Sequence, residues 1–462
     1  MKWMLVSALL ILYLFISCDR ESGNDADDDH ADADNNSYIE VPNDTDYTGN
    51  ENDEDIILKL AESSFGYSVA VDNQGGVFVA GATFGDLDGN TNAGITDVFL
   101  IKLGNDGKKI WTKQWGTKGE ESGNSVDVDN EGNVYLTGST TGNLDGNINA
   151  SGIYDIFLTK FSNDGTKIWT RQWGTKEKNI GNSVKADKKG NIYVTGVTHG
   201  NLDGNINASK NCDDFDCPDI FLTKFSSDGK KIWTKQWGTE EEDFANEIAV
   251  DNAGNIFVTG VTHGSLDGNT FAGGQCGSES CADLFLSKFN EDGTKIWTRQ
   301  WGGTGSDEAE AVTVDKEDNI IITGSSYSCE SSIVLDKFDN DGVQIWSKRW
   351  WNYYYEGGTS VAIDNENNIF VAGSTYKPID NNDIIAGGNC NGHYCFDIIL
   401  IKLDSDGSKV WNKQWGLVGM DYGESVAIDN ENRIFVVGTI AGQAEENVET
   451  DYTGAFITIF DL

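Results

Sequence analysis

The chain has 462 residues, 54 of them Gly and three Pro, with 75 acidic against 33 basic side chains and a formal charge of -42. That acidic excess excludes DNA and RNA as partners, because the phosphate backbone would repel it. It suits a soluble surface protein that holds divalent cations loosely. Few helix formers beside many Gly, Asn, Asp and aromatic residues point to short strands joined by tight turns.

The first element is a targeting segment. Met1-Lys2 precedes an apolar run from Trp3 to Ile16, followed by Ser17 and Cys18. The run is too short for a comfortable membrane span and carries a basic residue in front, as a secretory signal does. Phe15-Ile16-Ser17-Cys18 resembles the bacterial lipobox. The resemblance implies a lipoprotein signal peptide over 1–18, with Cys18 lipidated and serving as the membrane attachment; the alternative is an ordinary signal peptide with an incidental cysteine. Residues 19–54 are densely acidic and low in hydrophobicity, so they are expected to form a solvated, self-repelling tether. The bacterial cell envelope is the expected location, at the outer membrane or cell surface.

From residue 55 to 462 one unit repeats. The phrase Ser68-Val69-Ala70-Val71-Asp72 recurs at 125–129, 183–187, 247–251, 311–315, 360–364 and 425–429. Each copy leads through a turn to an apolar run such as Val134-Tyr135-Leu136-Thr137-Gly138, then through a longer loop to a third run, Asp155 to Phe161 in the second unit. Asn163-Asp164-Gly165 opens a fourth run with paired tryptophans, Lys167 to Gly174. Asp-Gly between alternating runs is a strong hairpin signal. Seven such units of four antiparallel strands predict an all-β fold, a seven-bladed β-propeller. The last unit stops after its third strand, Ala455 to Phe460, while Asp55 to Leu60 precedes the first where a fourth strand belongs. The N-terminal strand is therefore expected to complete blade seven and remove an open sheet edge.

The SVAVD, GNVYLTG, DIFLTKF and DGTKIWTRQWG segments resemble the bacterial SBBP, or beta-propeller repeat, family. The resemblance spans roughly 55–462 and implies the fold, with little about function.

Loops after strands one and three are tight turns on one face. Those after strands two and four hold nearly all the length variation, so their face is the candidate binding face. Four loops after strand two share a pattern: Asp86, Asp88 and Asn90; Asn143, Asp145 and Asn147; Asn201, Asp203 and Asn205; Asp267 and Asn269. Their oxygens either wrap a hard cation such as Ca2+ or cap their own turns. Cysteines five apart in the same loop of blades three, four and six (Cys212 and Cys217, Cys276 and Cys281, Cys390 and Cys395) read as disulfides in an exported protein, leaving Cys329 over. Blade five lacks the long loop, and Trp351, Tyr353, Tyr354 and Tyr355 follow its fourth strand, either as a ligand-binding aromatic patch or as local packing. His199 and His263 occupy matching positions in blades three and four. Twelve tryptophans fall in six pairs and read as core and inter-blade packing.

No catalytic or nucleotide-binding motif stands out. A lipid-anchored binding scaffold with an unknown protein or glycan partner is expected, as a monomer and not as an enzyme. Alternatives are a calcium-stabilised structural or adhesive protein and a polysaccharide-acting enzyme.

Overall fold

The computed structural model describes residues 56–150, 153–208, 217–273, 275–276, 279–327, 331–352, 356–376, 396–416, 419–442 and 452–461. Their strands form seven four-stranded antiparallel sheets and one two-stranded ladder. Blade one consists of Ser64–Val71, Val77–Thr83, Asp97–Leu103 and Lys109–Trp115. Blades two to six follow over 121–173, 179–237, 243–301, 306–352 and 356–415. The seventh comprises Gly419–Ile428, Ile434–Gly442, Tyr452–Phe460 and the N-terminal strand Ile56–Glu62.

The sequence pattern follows from the stacking of blades. Second and third strands are covered on both faces, so they are largely apolar and buried, as in Val77–Thr83, where every residue is buried. First strands alternate, because they also face the centre of the ring. In each first strand the register shifts by one residue, which a β-bulge leaves unpaired. These residues are Tyr67, Asn124, Asn182, Asn246, Glu310, Thr359 and Glu424, a ring of polar groups where the inner strands meet. Four of them bond the neighbouring inner strand: Asn124, Asn182 and Asn246 donate to the carbonyls of Gly181, Ala245 and Ala309, and Thr359 to that of Gly423.

The ring closes as the sequence predicts. Ile57, Leu58 and Lys59 pair antiparallel with Thr458, Ile457 and Phe456. The closing strand runs over Ile56–Glu62, ending two residues beyond the expected Leu60, and its partner begins at Tyr452, three residues before the expected Ala455. Across the seam the Val69 amide donates to Ser425 Oγ at 3.2 Å, repeating the Val126 to Ser68, Val184 to Ser125 and Val426 to Ser360 bonds between other blades. Leu60, Ala61 and Leu103 share one apolar cluster with Phe435 and Ile457. Six equivalent clusters lie between the remaining blades.

The tryptophan pairs do the packing assigned to them. The first of each pair leans on the second strand of its own blade, as Trp169 on Tyr135 at 6.3 Å. The second leans on the next blade, with Trp115–Phe161, Trp173–Phe225, Trp237–Phe289, Trp301–Phe338 and Trp415–Phe460 centroids 4.9–5.2 Å apart. The aspartate closing each repeat phrase caps the tight turn after it. Asp129 Oδ1, for one, accepts the amides of Glu131 and Asn133 at 2.9 and 2.8 Å.

Candidate functional site

The four LDGN loops are built alike. Leu87, Leu144, Leu202 and Leu266 are buried, and each amide donates to the glutamine of its blade's fourth strand, Gln114, Gln172, Gln236 or Gln300. The next residue, Asp88, Asp145, Asp203 or Asp267, adopts a left-handed conformation with φ of 48 to 52°. That turn aims its carboxylate back at strand four. Asp145 meets Lys167 Nζ at 2.8 Å and Thr170 Oγ1 at 2.5 Å; Asp203 meets Lys231 at 2.7 Å and Thr234 at 2.6 Å. Asp88 engages Lys109 and Thr112, and Asp267 engages Lys295 and Thr298. Asn90, Asn147, Asn205 and Asn269 donate to the leucine carbonyl three residues earlier. Asp86, Asn143 and Asn201 accept the amides of Asn92, Asn149 and Asn207.

Each loop thus caps its own turn through these bonds. A lysine ammonium lies 2.6–2.9 Å from each of these aspartates. No group of three or more His, Cys, Asp or Glu among the described residues is arranged to hold a metal ion. The same thermal unfolding midpoint is accordingly expected in excess calcium and in chelator. A ligand at a hundred times its Kd would add about 2.7 kcal/mol per site, so a clear rise with calcium would reverse this assignment. Lys167→Ala, by contrast, is expected to cost about 1 kcal/mol, the scale of a partly exposed ion pair with a hydrogen-bonded carboxylate, read as a lower denaturation midpoint.

A cleft of about 740 Å³ opens on this face between blades three and four. Ile206, Asn207 and Ala208 form one wall and Phe271 stands opposite, with Thr239, Glu240, Glu241 and His263 around the opening. Ile206 is 81 % exposed, as is Ile148 (84 %) at the matching position of blade two. His263 Nδ1 lies 3.1 Å from the Glu242 carbonyl oxygen, which assigns the ring proton to that nitrogen. The result is a concave site with apolar walls and acidic groups at its mouth, adjoining exposed aliphatic loop tips.

Three segments of the chain, residues 110–145, 168–203 and 232–267, match the model of the beta-propeller repeat family SBBP. These three segments resemble SBBP beta-propeller repeats. Each match begins in the tryptophan strand of one blade and ends at the LDG turn of the next, so the SBBP unit spans the blade junction. "Regulatory protein FlaEY" of Caulobacter vibrioides is 27 % identical over 179 residues, covering 36 % of this chain and 18 % of that protein. An uncharacterized WD repeat-containing protein of Acanthamoeba polyphaga mimivirus is 24 % identical over 306 residues, covering 51 % and 22 %. The chain thus spans about a fifth of the length of these relatives. Among solved structures, YCF48 bound to D1 peptide superposes with a TM-score of 0.46 at 9 % identity, covering 92 % of this chain and 100 % of that one.

Within the SBBP frame the remaining sequence candidates separate. His199 and His263 each bond a carbonyl of the connection preceding their own blade's first strand, at Lys178 and Glu242. Cys217 and Cys281 are buried on the loop face. Cys276 lies in a short ladder, Gln275–Cys276 against Glu279–Ser280, that reverses the chain toward Cys281. Cys212, Cys329, Cys390 and Cys395 fall outside the described residues, as do Tyr353, Tyr354, Tyr355 and Cys18. Trp351 occupies the fourth-strand end of blade five and pairs with Ser332. Elsewhere this position is glycine, because a Cβ there would strike a buried aspartate: on Gly116 it would come within 2.2 Å of Asp97 Oδ1. Blade five has Ser332 where that aspartate belongs, so the tryptophan and the serine form one local exchange.

Proposed function

We propose that this propeller is a lipid-anchored binding scaffold of the bacterial cell envelope, engaging its partner through the loop face. The cleft between blades three and four carries this reading, because the exposed Ile206 and the partly buried Phe271 line it on the face where the loops vary. The lipobox-like Phe15-Ile16-Ser17-Cys18 supports the anchor and the acidic stretch 19–54 a tether. The cysteines five apart serve as loop staples, each closing a small loop worth about 2 kcal/mol; no described cysteine is a free thiol.

Ile206→Ser with Phe271→Ala tests the face. Ile206 is exposed and Phe271 lies in a loop outside the strands, so the fold should survive, and binding of labelled protein to isolated bacterial envelopes should weaken about tenfold or more, the effect of losing central apolar anchors. Undiminished binding would remove the cleft from consideration. Cys18→Ser should release the protein from membranes, and retention on them would refute the anchor.

A further inference from the structure

Five blade junctions carry the same construction. Asp97, Asp155, Asp219, Asp283 and Asp397 open third strands, each with 0 % exposure. Opposite them stand residues at or near the start of the next blade: Glu121, Asn179, Asp243, Asp307 and Asp421. The facing side chains converge over the glycine that follows the second tryptophan. A Cβ on Gly116 would lie 2.2 Å from Asp97 Oδ1 and 2.6 Å from Glu121 Oε2; one on Gly302 would lie 2.7 Å from Asp283 Oδ1 and 2.9 Å from Asp307 Oδ2.

The hydrogen bonds around two of these pairs leave one vacancy each. Asp97 Oδ2 accepts from the Ala93 amide and Gln114 Nε2, and Asp283 Oδ2 from the Ala272 amide and Gln300 Nε2. Glu121 accepts from Thr117 N, Thr117 Oγ1 and Thr140 Oγ1, and Asp307 from Gly303 N. Asp97 Oδ1 and Asp283 Oδ1, fully buried and turned toward the second carboxylate, have no partner. Two facing buried carboxylates repel, and an unsatisfied buried oxygen is costly. Both penalties vanish if one donor hydrogen lies between them.

The second junction lacks the second acid. Asn179 replaces the acid, and its Nδ2 lies 2.9 Å from the Cβ position over Gly174, where Asp155 Oδ1 lies 2.4 Å away. An uncharged amide thus stands where the other junctions have a second carboxylate, with its N–H groups donating to the Glu177 and Tyr154 carbonyls at 2.6 and 3.3 Å.

We propose that the Asp97–Glu121 and Asp283–Asp307 pairs are proton-binding sites, each holding one proton between the facing oxygens and fastening neighbouring blades. The surrounding groups are N–H and O–H donors, as suits an anionic pair sharing a proton, rather than the oxygen cage of a hard cation. Burial raises Glu121 and Asp307 above the usual carboxylate range, and Asp97 and Asp283 push in the same direction. Arg349 opposes the shift at Asp307. In the matching Asp219–Asp243 pair, burial pushes Asp243 up to about 6, and Lys295 lies nearby. Because the folded values are raised, the latch is tight below the unfolded carboxylate range. It loosens as pH climbs through the folded value.

Asp283→Asn supplies the donor covalently, with its amide oxygen left to accept from Ala272 and Gln300. On the full chain its unfolding midpoint should match the wild type at pH 5 and exceed it by about 2–4 °C at pH 7.5, the shift of one or two kcal/mol in a large domain. Asp307→Asn, the amide on the other side, should do the same if Asp283→Asn folds poorly. Infrared spectra at pH 5.5 should show a carboxylic-acid carbonyl band that falls in the Asp97→Asn/Asp283→Asn double variant. A lower midpoint at pH 7.5 for both asparagine variants, or a wild-type midpoint that drops on chelation, overturns the proposal.

Discussion

Deleting residues 56–62 is expected to leave the protein unfolded or aggregated at room temperature. The deleted strand forms the outer edge of blade seven and pairs along the third strand, Tyr452–Phe460. It contributes Leu60 and Ala61 to the apolar cluster that joins blade seven to blade one, with Leu58 packed against them. Burial of three or four such side chains stabilises a fold by about 6–8 kcal/mol, a large share of the roughly 5–15 kcal/mol that separates most domains from unfolding. The loss also uncovers the backbone donors and acceptors of Tyr452–Phe460, a template for pairing with another chain. Leu60→Ala isolates the packing term and should cost about 2–4 kcal/mol. Denaturant unfolding and gel filtration check both variants. A truncated protein that stays monomeric with an unchanged midpoint would show that the ring does not depend on this strand.

The closure was legible because it is written in repetition. Seven copies of one phrase and six tryptophan strands leave a single vacancy, and Ile56–Glu62 fills it. The loop chemistry was legible only in part. The spacing of Asp145 and Asn147 fits a cation loop and a capped turn equally well. The lysine that pairs with Asp145, Lys167, sits 22 positions later and comes alongside only through the pairing of strands three and four. The cleft was hidden for a similar reason, since Ile206 and Phe271 belong to different blades and neither is unusual in its own loop. Trp351 stood out in the sequence as an aromatic, but its partner in the exchange, Ser332, becomes apparent only from the register. Bulges of the first strand also left no sequence mark, so the polar residues Tyr67 to Glu424 read as ordinary alternation.

Those bulge residues lead to the second large effect, a loss of stability at alkaline pH. Glu310 and Glu424 extend where the inner strands meet, with Glu247 and Glu308 on neighbouring positions and Lys185 paired to Asp127 at 2.8 Å. Burial pushes Glu310 up to about 8, and the carboxylates of Glu308, Glu424 and Glu247 add to it. Burial alone pushes Glu424 up to about 7. It does the same to Glu247 against the pull of Lys185. Each folded value lies above that of an unfolded glutamate, so the folded chain binds more protons between about pH 4.5 and 8. Stability is therefore complete below that window and falls as pH rises through it, by on the order of 3 kcal/mol once water at the centre of the ring is allowed for. Glu310→Gln with Glu424→Gln removes two of the ionisations while keeping the shape. The double variant should match the wild type at pH 5 and unfold several degrees higher at pH 8.5, with a flatter profile between. Wild-type stability that rises from pH 5 to 8.5, or a double variant with an unaltered profile, would mean that these carboxylates are ionised and hydrated in the folded ring.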